Sequence, residues 1–323
     1  MAAGTPDLFD RSVLVVSGKG GVGKTVVAAA CARAAARQRR RVLLAEVEGR
    51  GGVPRLLGLP AYGFEERRTP FGYTVLSVTA KEALLEYLWL FFHMRTLARS
   101  LAKAKVVEVA TDAIPGFRDV MVAGKVYELT GWRRARSGPN HGRTPYDLVV
   151  VDAPPTDQLL PFLESASAYR ELIRSGRPHR QLDSIDGLIR RDSRLVLVAV
   201  PEEMSVAETL ETVEALREAG LPEPVIAVNQ LLPQPFPKGV RAAGLRLEAN
   251  EAVGLLAKAG VRTDEHDAEE LLRSVRDLEA RQREERRYVS RLAKAGPVIE
   301  LPFLFTPSFG PGEVDELAER FAA

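Results

Sequence analysis

The stretch that decides the fold is Gly18-Lys19-Gly20-Gly21-Val22-Gly23-Lys24-Thr25. An apolar run, Val13-Leu14-Val15-Val16, precedes it, and a helical pattern over residues 24–38 follows it. The stretch fits the pattern G-x-x-x-x-G-K-[ST], in which glycines let backbone N–H groups curl around phosphate groups without interference from side chains. The helix that follows adds partial positive charge at its N-terminus. The sequence therefore predicts a strand, a phosphate-binding loop and a helix in succession.

Two side chains of this loop have distinct predicted roles. Lys24 is expected to reach the β- and γ-phosphates of a nucleotide, and the Thr25 hydroxyl to bind Mg²⁺. The alternative is a glycine-rich turn without a ligand, which is disfavoured because strand, loop, lysine, hydroxyl and helix occur in register. The predicted contacts of the nucleotide at the loop are Gly18, Lys19, Gly20, Gly21, Val22, Gly23, Lys24, Thr25 and Val26.

Short runs rich in β-branched residues recur along the rest of the chain. They cover residues 41–47, 73–78, 147–151, 195–200, 225–228 and 298–301. Most are continuous apolar runs, which is typical of parallel strands covered on both faces. Helical patterns separate them, among them residues 204–219 and a long segment over about 264–295. This alternation predicts an α/β fold with a doubly wound, mostly parallel sheet, in a single domain spanning residues 1–323.

Two regions interrupt the alternation of strands and helices. Residues 79–132 have a helical pattern without a clear strand, which we interpret as a helical insertion in the sheet. Residues 133–145 are rich in Arg, Gly and Pro and read as a loop or hinge. A second helical piece is expected at about residues 163–191.

The composition excludes several classes of protein. The 323 residues are 46% hydrophobic and carry a net charge of +2, so a large core is expected and nucleic-acid binding is not. A single cysteine, Cys31, rules out a disulfide framework and a metal site made of several thiolates. The most apolar stretch, residues 84–92, contains Glu86 and is far shorter than the roughly 20 residues of a membrane helix. We expect a cytoplasmic protein that is not an integral membrane protein.

Lys19 identifies the type of phosphate loop, because a second lysine directly after the first glycine is typical of the deviant Walker A class. With this loop the sequence resembles the superfamily of ArsA, MinD, ParA and the nitrogenase iron protein. The resemblance implies an ATPase that binds ATP, ADP and Mg²⁺, works as a dimer and extends the extra lysine to the partner's nucleotide. Lys19 is then expected to offset charge during γ-phosphoryl transfer, as an arginine finger does. The alternative for Lys19 alone is a solvated loop residue.

The resemblance assigns roles to two acidic residues that follow strands. In the ArsA branch the second strand usually ends in Asp-Pro-Ala-His-Asn, and the acid aligned here is Glu48, a candidate holder of the attacking water. Asp152 matches the start of the ArsA-type pattern Asp-Thr-Ala-Pro-Thr-Gly-His and is a candidate for the Mg²⁺ site, although it could instead only cap a helix. The family's Gly and His are replaced by Asp157 and Gln158. We hypothesise that these departures slow the ATPase.

The resemblance continues into the C-terminal part of the chain. Residues 225–230 are similar to the family's adenine-reading segment, with Asn229 placed after the strand. An amide can donate and accept at once, as the edge of adenine requires, although a lone asparagine after a strand is often only a turn residue. Pro302, next to Phe303, is expected to lie near the base.

The resemblance also implies partners. Residues 46–50 and 85–88 are most similar to an actinobacterial subgroup of ArsA-like ATPases that are often encoded as adjacent paralogues. The chain is therefore expected to form a homodimer, or a heterodimer with a paralogous ATPase, and to act on an unknown client protein. The alternative is a weakly or non-hydrolysing nucleotide-binding subunit of that heterodimer. A third class of function, DNA partitioning, has one candidate basic stretch, residues 95–105. The apolar residues 84–94 favour contacts within the core or with a dimer partner over a client-binding site.

Overall fold

One sheet organises the molecule. The structure is a computed structural model that describes residues 7–49, 51–92, 114–131, 146–234, 241 and 244–321. Within these residues eight strands lie side by side in the order β3-β4-β2-β5-β1-β6-β7-β8. They are β1 (Val13–Gly18), β2 (Val42–Val47), β3 (Arg67–Arg68), β4 (Thr74–Val78), β5 (Leu148–Asp152), β6 (Ser193–Ala199), β7 (Val225–Leu231) and β8 (Val298–Pro302). Neighbouring strands are parallel except β3 and β4, so the predicted α/β fold with a mostly parallel sheet is confirmed.

Helices cover the sheet on both faces. In the part of the chain that the structure describes they are α1 (Lys24–Arg37), α2 (Gly52–Leu57), α3 (Ala80–Phe92), α4 (Phe117–Leu129), α5 (Thr156–Leu172), α6 (Gly176–Arg191), α7 (Glu203–Glu218), α8 (Ala249–Lys258), α9 (Glu265–Leu292) and α10 (Pro311–Ala318). None of these helices has the length and apolar character needed to cross a lipid bilayer.

The core consists of two layers separated by the sheet, because successive side chains of a strand point to opposite faces. In β1, Val13 and Val15 join the apolar cluster formed with α4, α5, α6, α7 and α9. Leu14 and Val16 join the opposite cluster, formed with α1, α2 and α10. Both faces are therefore buried, which explains why the strands are continuous apolar runs rather than alternating ones.

The central helix α1 lies flat against the sheet because most of its buried residues are alanines. Alanine favours helix and its small side chain lets helix and sheet backbones approach closely. Arg33 anchors α1 to α10, since its Nε donates to Asp315 Oδ1 at 2.5 Å, and its Nη1 donates to the carbonyl oxygen of Phe71. The C-terminal helix thus braces the helix that follows the phosphate loop.

The order of strands determines where a ligand can bind. The chain passes from β1 through α1 to β2 on one side, whereas the connection from β5 leads to β6 on the other side of β1. Loops that leave neighbouring strands in opposite directions open a crevice at the carboxyl ends of those strands. The phosphate loop, which begins at the end of β1, lies at this crevice.

Several elements differ from the sequence-based expectations. The predicted insertion at residues 79–132 contains α3 and α4, but residues 93–113 and the predicted loop at 133–145 lie outside the described residues. The second helical piece is two helices, α5 and α6, and α5 begins earlier than predicted. The short elements α2, α8, α10 and β3 were not predicted, because each is too short to show a periodic pattern. The assignment of one domain over residues 1–323 stays a prediction.

Candidate functional site

The phosphate loop begins where β1 ends and lies directly against the neighbouring strand β6. Gly18 is the last residue of β1 and has a φ angle of +154°. A Cβ atom at Gly18 would lie 2.2 Å from the carbonyl oxygen of Val198, which is a backbone atom of β6. Since only glycine permits this approach, β6 holds the start of the loop in place.

The loop ends at Gly23, which lies against β7 and caps the N-terminus of α1. Its φ angle is +94°, and a Cβ atom there would lie 2.5 Å from Nδ2 of Asn229. The same Nδ2 donates a hydrogen bond of 2.9 Å to the carbonyl oxygen of Val22. Asn229 is buried inside β7, which continues to Leu231, so our expectation that it follows the strand is wrong. Its contact with adenine stays a prediction.

Between these two anchors the loop is open to a cavity. A Cβ atom at Gly20 or Gly21 would meet no heavy atom within 4 Å. The cavity beside the loop measures about 270 Å³ and is lined by Gly21, Gly23, Lys24, Thr25, Val26, Glu46, Val47, Asp152 and Ala153. The free N–H groups at the start of α1 present partial positive charge to this cavity, and no acidic side chain in the first turn offsets it. The arrangement suits phosphate groups.

The two lysines of the loop have different partners. Lys24 lines the cavity, and its Nζ donates to the carbonyl oxygen of Lys19 at 2.9 Å. Lys19 is absent from the lining of the cavity, and its own Nζ lies 3.1 Å from Glu208 Oε2 on α7. The Lys19 side chain is 37% exposed, so this ion pair is partly solvated and its energy is small.

Glu208 connects Lys19 to the loop that follows β5. Its Oε1 accepts a hydrogen bond from the hydroxyl of Thr156, the first residue of α5. Desolvation acts to raise the pKa of Glu208, but hydrogen bonds from Thr156 and Lys19, with the charges of Lys19 and Lys24, lower it overall. The carboxylate is thus held ionised between the two loops. The sequence analysis assigned Glu208 no role, because its partners lie far away along the chain.

Thr25 and Asp152 form the oxygen donors of a candidate metal site. Thr25 Oγ1 donates to Asp152 Oδ2 at 2.7 Å, and Asp152 is 8% exposed at the end of β5. Hydroxyl and carboxylate oxygens are ligands that Mg²⁺ prefers. No group of three or more His, Cys, Asp or Glu side chains among the described residues could hold a metal ion. The donor set therefore fits a Mg²⁺ ion whose remaining ligands are phosphate oxygens and water.

A second buried carboxylate lies beside this pair. Glu46 of β2 is opposite Asp152 in the strand register, lines the same cavity and is 2% exposed. Its Oε1 accepts the backbone N–H of Gly52, at the start of α2, at 2.6 Å. The sequence analysis missed Glu46. The available signal was an acid inside a continuous apolar strand, because a carboxylate is rarely buried without a partner.

Glu48, the predicted catalytic carboxylate, does not line the cavity. It follows β2 with a φ angle of +62°, an uncommon backbone conformation for a residue other than glycine. Its Oε2 accepts from Arg118 Nη2 on α4 at 2.7 Å. The side chain is therefore directed towards the helical insertion, and its role in holding the attacking water stays a prediction.

The remaining predicted nucleotide contacts lie at both ends of the site. Val26, in the first turn of α1, lines the cavity beside the loop. Pro302 is the last residue of β8, paired with Leu231 of β7, and is half-buried. Its contact with the base stays a prediction.

The apolar run on α3 borders a second cavity, away from the phosphate loop. Leu84 and Leu88 line this space of about 300 Å³ together with residues of α4, α5 and α6. At its edge Lys125 Nζ lies 2.5 Å from Glu86 and 2.7 Å from Glu128, and the lysine side chain is only 9% exposed. The choice between core contact and client site for this run stays open.

The fold and this site define a class of protein. A glycine loop between a buried strand and a helix N-terminus, with a lysine and a hydroxyl at the helix start, is a P-loop nucleotide site. Residues 13–300 match the family model CbiA, described as the CobQ/CobB/MinD/ParA nucleotide binding domain. The chain belongs to this family.

Individual relatives narrow the class further. The chain is 34% identical to the ATPase BagA of Mycobacterium tuberculosis over 267 residues, which are 80% of this chain and 77% of that protein. It is 26% identical to an arsenical pump-driving ATPase of Acidiphilium multivorum over 241 residues, which are 68% of this chain and 40% of that protein. The predicted ArsA-like P-loop ATPase is confirmed, and ATP hydrolysis is its reaction.

Proposed function

We propose that this ATPase is a dimeric switch in which each Lys19 completes the nucleotide site of the other subunit. One observation carries the proposal: Lys19 does not line the phosphate cavity of its own subunit, and its Nζ is held by Glu208. A lysine needed for catalysis at its own site would be expected to line that cavity. Nucleotide binding then favours the closed dimer, and hydrolysis favours opening.

Each group at the site has a separate role in the hydrolysis of ATP. Water attacks the γ-phosphorus of ATP, the bond to the β–γ bridging oxygen breaks, and ADP and phosphate form. The N–H groups of the loop and Lys24 hold the β- and γ-phosphates. Thr25 and Asp152 would hold Mg²⁺, which offsets phosphate charge when bound. The partner's Lys19 offsets the negative charge that develops in the transition state.

Glu48 links the reaction to the helical insertion in this proposal. To hold the attacking water, its carboxylate has to leave Arg118 on α4 and turn towards the cavity. The exchange of partners couples the nucleotide state to the position of α4, and through it to a client protein. Because ATP is the substrate, we propose that the protein acts in the cytoplasm.

A second candidate function is a subunit that binds nucleotide but hydrolyses it weakly, as half of a heterodimer with a paralogous ATPase. It is favoured by Glu48, which is paired with Arg118 and absent from the lining of the cavity. It is also favoured by Asp157, an acid in the first turn of α5 where the ArsA-type pattern has a glycine. In that case a homodimer hydrolyses ATP slowly and the paralogue accelerates it.

Nucleotide binding and turnover, measured on the same variants, test the proposal. Lys19→Ala is expected to bind a non-hydrolysable ATP analogue with Mg²⁺ as the wild type does, but to lose about 10³-fold or more in turnover. Lys24→Ala is expected to lose nucleotide binding itself. Lys258→Ala, at the exposed end of α8, is the matched control and should change neither quantity. Wild-type turnover in Lys19→Ala would contradict the switch.

The same assay separates the two candidate functions. Turnover is measured for this chain alone and for its mixture with the paralogue, at constant total protein. Acceleration only in the mixture favours the weakly hydrolysing subunit, whereas turnover that rises steeply with the concentration of this chain alone favours the homodimer.

A further inference from the structure

We propose that Glu46 supplies the second carboxylate of the divalent-metal site, beside Thr25 and Asp152. The inference rests on the proposed binding of a magnesium nucleotide and adds a residue that neither the motif nor the family pattern assigns. Glu46 would act on the metal or on its bound water, a role distinct from the one proposed for Glu48.

The sheet places the two carboxylates next to each other. Glu46 of β2 and Asp152 of β5 are direct partners in the register of two parallel strands. Partners in a parallel ladder project from the same face of the sheet, and neighbouring strands lie about 4.8 Å apart. This face is the one covered by α1, and Thr25 at the start of α1 already contacts Asp152. All three oxygen-bearing side chains therefore point into one space.

The surroundings of Glu46 leave part of its carboxylate available. Oε1 accepts backbone N–H groups from Gly52 at 2.6 Å and Val53 at 3.4 Å. Among the residues that the structure describes, no hydrogen bond reaches Oε2. The side chain is 2% exposed to bulk solvent, yet it lines the cavity that also contains Thr25 and Asp152. A buried carboxylate with a free oxygen facing a cavity is a candidate ligand for a cation.

Electrostatics favour a cation between Glu46 and Asp152. Two like charges in a space shielded from water repel each other, and burial also costs each of them solvation. A divalent ion offsets both charges, and Mg²⁺ is commonly held by one or two carboxylates together with phosphates of the substrate.

Glu48 does not compete for this position in the structure. Its carboxylate is turned to Arg118, and its backbone has left the strand with a φ angle of +62°. Glu46 lies two residues earlier, inside the strand, where the side chain has little freedom to move. The strand therefore holds the carboxylate of Glu46 at the cavity, whereas the turn after it directs the carboxylate of Glu48 to Arg118.

The alternative is that Glu46 only caps α2 through Oε1. Glu46→Gln separates the two roles, because glutamine keeps a carbonyl oxygen for the N–H groups of Gly52 and Val53 but loses the charge. The probe is Mn²⁺, measured by electron paramagnetic resonance as free ion during titration into protein saturated with ADP. Thermal unfolding of each variant verifies that it is folded.

If Glu46 belongs to the metal site, Glu46→Gln should weaken Mn²⁺ binding by about tenfold or more, while ADP affinity in EDTA does not fall. Asp152→Asn should weaken Mn²⁺ binding as well. Glu313→Gln removes the charge of another glutamate that accepts a backbone N–H at a helix start, remote from the cavity, and should leave Mn²⁺ affinity unchanged.

The inference would be overturned if Glu46→Gln bound Mn²⁺ within about twofold of the wild-type affinity while Asp152→Asn bound it more weakly. The proposed function would remain intact in that case. Should Glu46→Gln not fold, Glu46→Asp provides the second test, since the shorter acid should keep ADP binding in EDTA and weaken Mn²⁺ binding. Unchanged Mn²⁺ affinity in that variant would equally overturn the inference. If the wild type binds neither ADP nor Mn²⁺ with ADP, the proposed function itself fails.

Discussion

Lys19 Nζ and Glu208 Oε2 lie 3.1 Å apart within one subunit. The ammonium group that is proposed to act on the partner's nucleotide is therefore already paired with a carboxylate of its own subunit. Glu208 also accepts from Thr156, which follows the short loop between Asp152 at the end of β5 and the start of α5. A dimer that uses Lys19 in the partner's site has to break this contact. The contact therefore opposes closure until a bound nucleotide offers Lys19 a stronger partner.

Removing the charge of Glu208 should make closure easier. Glu208→Gln keeps an acceptor for the Thr156 hydroxyl but weakens the hold on Lys19. Since partly exposed ion pairs are worth about 0.2–1 kcal/mol each and closure breaks one in each subunit, the dimer dissociation constant with a non-hydrolysable ATP analogue should fall by up to about 30-fold. Analytical ultracentrifugation measures this constant.

The control for this prediction is Glu214→Gln, because Glu214 lies on the same helix and pairs with the exposed Arg217 at 2.6 Å. It should leave the dimer constant unchanged. Weaker self-association of Glu208→Gln would show that Glu208 supports the closed state instead.

A side chain at Gly23 should destroy nucleotide binding and lower stability. A left-handed backbone costs about 1–2 kcal/mol for a residue with a Cβ atom. In Gly23→Ala this atom would also lie 2.5 Å from Asn229 Nδ2, which would have to release the carbonyl oxygen of Val22. Urea unfolding and calorimetric titration with ADP measure the two effects.

Gly254→Ala is the comparison, since Gly254 lies inside α8 and a Cβ there meets no atom within 4 Å. Alanine should stabilise that helix by up to about 1 kcal/mol. If Gly23→Ala bound ADP as tightly as the wild type does, the prediction would be wrong, because the loop would then accommodate a Cβ atom at this position.

Lys125 should be important for stability, and more so at neutral pH than in mild acid. Its ammonium group lies against Glu86 and Glu128 and 4.7 Å from the ring centre of Phe64. Lys125→Met leaves two carboxylates without their cation. The expected loss is about 2 kcal/mol, below the value for a fully buried pair, because both acids are about a quarter exposed.

The pH dependence of this loss follows from Glu86. Desolvation already raises the pKa of Glu86 above its usual 4.5, against the opposing effect of Lys125. A group with a raised folded-state pKa favours the folded state below its unfolded pKa and disfavours it as pH rises through the folded one. Without Lys125 the pKa rises further, so the loss should be larger near pH 8 than near pH 5. Urea unfolding at both pH values tests this, with Lys125→Arg as control; a loss independent of pH contradicts it.

The rate at which a thiol reagent labels Cys31 should report nucleotide binding. It is the only cysteine, lies fully buried in α1, and burial raises the pKa of its thiol. Iodoacetamide reacts with the thiolate, so labelling requires the structure to open. ADP with Mg²⁺ at about 100 times its dissociation constant should slow labelling by up to about 100-fold. Lys24→Ala should show no such protection, and labelling of the folded wild type at the rate of a free thiol would contradict the burial.

Local sequence patterns were enough to predict the centre of the sheet and the phosphate loop. The runs at β1, β5 and β6 are continuous and apolar because both their faces are buried, and the phosphate loop has a motif of eight consecutive residues, Gly18 to Thr25. Such features need only a short window of sequence.

The rest depended on contacts between distant segments. The role of Glu208 follows from Lys19 and Thr156, and that of Asn229 from its bond to Val22. Glu46 and Glu48 both look like acids at the end of β2, and only their neighbours, Asp152 and Arg118, separate them.

The anchoring of the phosphate loop has a consequence for how the protein is made. Its glycines are synthesised before Val198 and Asn229, which hold the two ends of the loop, and before the helix that braces α1. Because folding has to wait for these later partners, a nascent chain cannot bind ATP firmly until β6, β7 and α10 have been synthesised. Ribosome-bound fragments that end before α10 should therefore lack the nucleotide affinity of the released protein.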